Sequence, residues 1–272
     1  MGVMMRYFLV TLLCLLTVFS RSDAYIGWAT SMRQVVEYFE DTGPETLAIF
    51  DIDLVLLQPA HPAFQEKNMF RYTPVVKKFI KELGRDHTSI FFNLVNISYD
   101  SVLVDERTPY LLEGLKNGEV PTIALTGRMV GPLGEVANLE RWSETRLKEF
   151  GIDFSTSAPE GEWDFQVLPQ FRGCAPRYHH GILYTNGHNC SKGELLIAFL
   201  KETGMHPARV VFIDDREYNL HSVEEALNAF DPHIVFYGIH FIGAQYCPTE
   251  ELSEEEFSAH WQAMASRAAS LE

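Results

Sequence analysis

The chain has 272 residues, 37 of them acidic and 22 basic, for a formal net charge of −15. That balance disfavours nucleic acid and anionic membranes as partners, and any anion bound here needs local positive charge or a metal. The length suits one core with elaborations, or one domain carrying a small cap.

Met1 to Arg6 carries one positive charge, Tyr7 to Ser20 is almost wholly apolar, and Ser22-Asp23-Ala24 puts small residues where a signal peptidase reads. This is the layout of a secretory signal peptide over 1–24, cleaved after Ala24. The apolar run falls short of the about 20 residues of a membrane span. The expectation is an exported protein, periplasmic or secreted, with no stable membrane insertion after signal cleavage; an uncleaved anchor is the alternative. Cys174, Cys190 and Cys247 would remain. An oxidising compartment would allow one disulfide, and Cys174–Cys190 is the expected pair because both lie in one insert-like stretch.

Ile26 to Glu40 reads as an amphipathic helix, and Thr46 to Leu57 holds the first core strand. Asp51-Ile52-Asp53 follows the apolar run Leu47–Phe50. Two carboxylates one residue apart at a buried strand end are costly unless something charged binds there. Residues i and i+2 of a strand share a face, so both could address one site. Pro74 to Leu83 and Pro109 to Leu115 read as helices. Pro121 to Leu125 is a strand stopping at Thr126-Gly127-Arg128, and Leu139 to Phe150 is helical with Gly151 as its stop.

Ser155 to Ser191 is rich in aromatics, proline and glycine. Asp164–Leu168 and Gly181–Thr185 could pair there as an insert, although the second run could belong to the core. His179-His180 reads as surface or strand rather than as ligands. Lys192 to Glu202 is a helix closed by Gly204; Ala208 to Ile213 is a strand ending in Asp214-Asp215. A helix from Asn219 to Phe230 and a strand from Ile234 to Ile239 follow. Ser253 and Glu256 form a capping box that opens a last helix, on which Phe257, Trp261, Met264 and Ala268 share a face. Apolar strands alternating with helices predict an α/β fold.

Ligands of open parallel α/β sheets bind beyond the carboxyl ends of the strands, and here three such ends carry polar residues. Asp51-Ile52-Asp53-Leu54-Val55, then Ile123-Ala124-Leu125-Thr126, then Lys192, then Val210-Val211-Phe212-Ile213-Asp214-Asp215 occur in that order. This order resembles the four motifs of the haloacid dehalogenase-like superfamily of phosphohydrolases, and spans Thr46 to about Phe236. With its leader and its Ile-Asp-Asp-Arg-Glu-Tyr-Asn-Leu run, the chain also resembles an exported bacterial branch of that superfamily. The resemblance implies a three-layer doubly wound Rossmann-like parallel sheet with small cap inserts. It implies Mg²⁺ as cofactor and a phosphorylated small molecule or phosphoprotein as substrate.

By the same resemblance, Asp51 attacks phosphorus and Asp53 moves the proton to and from the leaving and attacking oxygens. Thr126, Gly127 and Lys192 hold the phosphate. Asp51, Asp53 through its backbone carbonyl, Asp214 and Asp215 hold the metal, with Asp215 the favoured direct ligand. Asn219 stands where many relatives have another acid. Arg128 and Arg216 could bind substrate anions or pair with surface acids, the second being favoured, and Asn186 and His188 read as weak substrate contacts.

Specificity in this superfamily comes from caps. The chain from 25 to 272 is therefore expected to be one such domain, with a helical cap at 61–107 and a small β-rich insert at 155–180. Phe64, Phe70, Tyr72 and Trp163 could wall an entrance or be ordinary core. The alternative function is a catalytically silent secreted binding or effector protein on the same fold. Dehalogenation or phosphoglucomutation is a third reading, and Asp53 disfavours dehalogenation, which has no leaving oxygen to protonate.

Overall fold

The computed structural model describes residues 24–271. The signal-peptide expectation thus lies outside the described residues, apart from Ala24. The chain runs β1 (Tyr25–Ala29), α1 (Met32–Val36), β2 (Thr46–Phe50), β3 (Leu57–Pro59), α2 (Glu66–Arg71), α3 (Thr73–Ser98), β4 (Ser101–Leu103) and α4 (Thr108–Asn117). It continues through β5 (Thr122–Thr126), α5 (Leu139–Glu149), β6 (Glu162–Asp164), β7 (Arg177–His179), β8 (Ile182–Tyr184), α6 (Lys192–Thr203), β9 (Arg209–Asp214), α7 (Glu217–Phe230), β10 (Val235–Phe241) and α8 (Glu254–Ala269).

The fold is mixed α/β, built on a large, mostly parallel sheet of order β1-β10-β9-β2-β5-β8-β7-β6. From β1 to β8 every pairing is parallel; β7 and β6 join antiparallel. The central strands are buried on both sides because their side chains alternate between two apolar clusters. Ala48, Phe50, Ala124, Val211 and Ile213 face one cluster with Met32, Leu111 and Leu147 from α1, α4 and α5. Leu47, Ile49, Ile123, Leu125, Val210 and Phe212 face the other, with Leu196 and Phe199 of α6 and Val223 of α7.

β1 replaces the start of the helix expected over Ile26–Glu40. Its Tyr-Ile-Gly-Trp-Ala sequence gains a full ladder against Tyr237–Phe241, which outweighs the helical pattern. Only Met32–Val36 is α-helical, followed by a 3₁₀ turn at Glu37–Phe39. The helix expected over Pro74–Leu83 stops where expected: Gly84 is non-helical at φ 72° and ψ 175°, and a second helical run continues beyond this kink to Ser98 within α3.

Residues 61–107 are mainly helical and are held between β3 and β4, which form a two-stranded antiparallel pair. They pack on α8 through a third cluster that includes Phe64, Phe91, Leu94, Phe257 and Trp261. The Trp261 indole donates to the Ala63 carbonyl at 2.8 Å. Three of the four aromatics considered for an entrance are core or partly buried: Phe64 sits in this third cluster, Tyr72 stacks near Phe257, and Trp163 stacks on Tyr178. Phe70 is exposed.

In the 155–180 stretch, β6 and β7 extend the main sheet; Gly181–Thr185 yields β8, a strand of that sheet beside β5. The expected Cys174–Cys190 bridge does not form, and all three described cysteines are free. Cys174 packs against the first apolar cluster and Cys190 lies in the second, so the two thiols are on different sides of the sheet. Among the described residues no helix is long and apolar enough to cross a membrane.

Candidate active site

Parallel register sets the site. Phe50 lies opposite Ala124 on β5 and Ile213 on β9. The residues that leave these strands, Asp51, Thr126 and Asp214, therefore meet on one rim. The Asp51 amide donates to the Ile213 carbonyl at 2.8 Å, which holds the two acidic ends level. Asp51, Thr126 and Asp214 are all buried.

Lys192 is the first residue of α6, whose start is fixed by a capping box of Ser191 and Glu194. Gly193 lets α6 lie close to α7, since a Cβ there would collide with the Ser222 carbonyl. The buried Lys192 ammonium reaches Asp51 Oδ2 at 2.9 Å and Asp214 Oδ2 at 2.6 Å. Asp214 Oδ1 accepts from the Arg216 amide at 2.8 Å and the Asn219 side chain at 2.9 Å. Both Asp214 oxygens are thus engaged by protein donors. Asp215 pairs through Oδ2 with Arg216 Nε at 2.9 Å.

Asp51, Asp214 and Asp215 each bring a carboxylate oxygen within 4.8 Å of the others. Three clustered acids facing one buried lysine leave an excess of negative charge. An all-oxygen donor set of this kind fits a hard divalent cation. Burial chiefly raises the Asp51 carboxyl well above its usual range; Lys192 opposes this, and Asp214 and Asp215 add to it. Asp215 is pushed up to about 7, chiefly by burial, with Arg216 opposing. Burial alone would lower the Lys192 ammonium, yet Asp214 and Asp51 together raise it.

Those shifts fix a sign. In the unfolded chain such carboxyls ionise near 4, whereas the folded chain keeps these protons to higher pH. Each therefore removes stability as pH rises above about 4, and for Asp215 the loss is complete at about pH 7. Without divalent cations, Asp215→Asn should match the parent near pH 4 and exceed it at about pH 8. Urea midpoints at both pH values check this, and an equal difference at the two would refute it.

Asp53 departs from the strand argument. β2 ends at Phe50, so Asp51 and Asp53 lie in a turn, where Leu54 takes φ 63°. Their carboxylates go to different partners. Arg128 Nη2 donates to Asp53 Oδ1 at 2.7 Å and Nε to Oδ2 at 3.1 Å, and Asn96 of α3 donates to Oδ1 at 3.1 Å. Arg128 is itself buried, so it is no partner of a surface acid. Its side chain follows β5, and its amide donates to Thr126 Oγ1 at 3.3 Å. Gly127 has open space where a Cβ would point, room that a phosphate oxygen could occupy.

Arg216 is exposed, yet its partners belong to the site: it pairs with Asp215 and lies 3.9 Å from the partly buried Glu66 of α2. Burial raises the Glu66 carboxyl. Asn96 and Glu66 were missed from the sequence because both come from the 61–107 segment, whose placement over the site no local pattern reveals. Asn186 is a structural residue: its side chain bonds Val130, Phe171 and Cys174 backbone atoms. His188 is turned to Ser89 and Asp86 of α3.

The profile of the family described as "Protein of unknown function (DUF2608)" matches residues 29–269. An uncharacterised protein of Rickettsia bellii is 23% identical over 244 residues, covering 87% of this chain and 82% of its own length. One from Rickettsia prowazekii is 24% identical over 245 residues, covering 88% of this chain and 85% of its own length. A third, from Rickettsia felis, is 29% identical over 167 residues; the match spans 60% of this chain and 56% of that protein.

Proposed function

The chain belongs to the DUF2608 family, and from that premise we propose that it is an exported, Mg²⁺-dependent phosphatase of the haloacid dehalogenase type. On this reading its sheet is the core of a three-layer, doubly wound Rossmann-like fold, and residues 61–107 and 155–180 are its cap inserts. The observation that carries the reading is the joining of Asp51, Lys192, Asp214 and Asp215 at adjoining strand ends, Lys192 bridging two of the acids.

Asp51, Asp214 and Asp215 would hold the cation, with Asp215 the favoured direct ligand because both Asp214 oxygens already accept bonds. Bound Mg²⁺ supplies charge neutralisation between carboxylate and phosphate. Asp51 attacks phosphorus as the bond to the leaving oxygen breaks, giving an aspartyl-phosphate. Asp53 gives that oxygen a proton, then accepts one from the water that releases phosphate. Arg128 and Asn96 orient Asp53. Thr126, Gly127 and Lys192 take the phosphate oxygens. The substrate is a phosphorylated small molecule or phosphoprotein.

Purified protein should hydrolyse an aryl phosphate with Mg²⁺ and lose that activity in excess chelator. Full activity in chelator would end the metal assignment. One observation favours the silent binding or effector reading: Arg128 grips both oxygens of the acid meant to move protons. Absence of turnover across phosphorylated metabolites and phosphoproteins, with Mg²⁺ present, would select it.

A further inference from the structure

Far along the sheet from Asp51, the turn between β7 and β8 puts two imidazoles together. Successive strand residues point to opposite faces. His180, however, takes φ 47°, outside the strand region, and Gly181 follows at φ 85°. The two rings consequently stack, with centroids 4.1 Å apart and planes 18° apart. A left-handed histidine is an uncommon backbone state that needs support from its surroundings.

Two glutamates meet these rings from opposite sides. Glu162 of β6 lies with Oε2 3.3 Å from His179 Nδ1 and Oε1 3.2 Å from His180 Nε2. Both of its oxygens thus lie within ion-pair distance of a ring nitrogen, one on each ring. His180 Nδ1 shares a hydrogen bond with Glu144 Oε2 at 3.0 Å; an ion bound there would take that nitrogen and His179 Nε2 as lone-pair donors while Glu162 accepts the remaining N–H of each ring. These two nitrogens face Glu144 of α5, whose Oε2 is 3.6 Å from His179 Nε2 and 3.0 Å from His180 Nδ1. Ligands about 2.0–2.1 Å from a tetrahedral ion lie roughly 3.3 Å apart. The second Glu144 oxygen is taken by Lys148 at 2.7 Å, which leaves Oε2 for the cluster. His179 Nε2 is buried and has no hydrogen-bond partner.

We propose that Glu144, His179 and His180 bind a divalent transition-metal ion of the zinc class, with Glu162 orienting both imidazoles from behind. Two nitrogens and one carboxylate oxygen suit Zn²⁺ better than Mg²⁺, which prefers oxygen alone. A carboxylate behind each ligating histidine is the usual second layer of such sites. The three ligands leave a coordination position for water or an outside group. The ion would clamp α5 to the β7–β8 turn, beside the Glu140–Arg177 ion pair that already ties α5 to β7 at 2.6 Å. β8 runs from this turn towards Tyr184, whereas Asp51 lies at the other end of the parallel strands. The site is thus separate from the acidic rim, and its presence does not depend on phosphatase activity.

The test is metal binding by the full, chelator-treated protein, measured by equilibrium dialysis with Zn²⁺ in excess Mg²⁺. Co²⁺ absorption serves as a second readout of coordination. One equivalent of Zn²⁺ should bind, and Co²⁺ should give the intense visible bands of four-coordinate nitrogen and oxygen ligation. His180→Asn, which keeps a residue tolerant of the left-handed turn, should abolish both signals. Glu162→Gln should weaken Zn²⁺ about 10–100-fold. Asp215→Asn should leave both signals intact. Failure of the parent to bind, binding unchanged in His180→Asn, or loss in Asp215→Asn would overturn the proposal. Circular dichroism of each variant separates ligand loss from unfolding.

Discussion

Asp51→Asn should leave the protein folded and lower phosphate release from every phosphomonoester by roughly 10⁴-fold or more, the scale of losing a covalent nucleophile. The amide keeps the side chain's volume but is not a nucleophile at phosphorus. No neighbour can take over. Asp53 is held by Arg128 at 2.7 Å, and both Asp214 oxygens accept bonds from Lys192, Arg216 and Asn219. Folding should survive because burial already disfavours the charged form of Asp51. The check has two parts. Steady-state hydrolysis should drop to background, and phosphate retained on the parent after an acid quench should be absent from the variant. Turnover by a folded Asp51→Asn protein within tenfold of the parent would remove Asp51 as nucleophile.

Lys192→Met should cost about 3–5 kcal/mol of stability in the absence of metal, the range for stripping one partner from a buried ion pair. Asp51 and Asp214 would be left facing each other, with side chains 8% and 0% exposed. The pair Arg71–Glu251 is equally short at 2.7 Å, but its side chains are 50% and 67% exposed. Pairs of that kind are worth about 0–1 kcal/mol. Adding Asp51→Asn to Lys192→Met should recover part of the loss, because it removes one of the two carboxyls left without the lysine. Urea unfolding of the four chains of this cycle measures the coupling. A Lys192→Met cost no larger than that of a surface pair would show that the lysine is not the counter-ion of the buried acids.

The strand ends that build the acidic rim were legible because buried parallel strands read as unbroken apolar runs that stop abruptly in polar residues. Leu47–Phe50, Ile123–Leu125 and Val210–Ile213 all have that form. Lys192 was legible only from its place in the order of the four motifs and at a helix start; the Ser191–Glu194 cap that fixes that start is seen in the structure. The roles of Arg128 and Arg216 were not, since an arginine reaches beyond the neighbouring strand and its partner is chosen by tertiary packing. Asp53 misled for a different reason. Period-two reasoning holds only within a strand, and the chain turns immediately after Phe50. The same limit hid the stacked His179 and His180, which a strand would have separated. β1 was unreadable because a half-exposed edge strand has no continuous apolar run, and its ladder partner lies at the other end of the chain.

That last pairing bears on how the polypeptide is made. Tyr25 is matched with Tyr237, and Ala29 with Phe241. Until residue 241 has left the ribosome, β1 has no partner. β10 also bridges β1 to β9, so the edge is assembled from opposite extremes of the molecule. Closing so long a span is slow relative to forming local helices. The edge of the sheet therefore closes late, and β1 stays unpaired until β10 has been made and has joined β9.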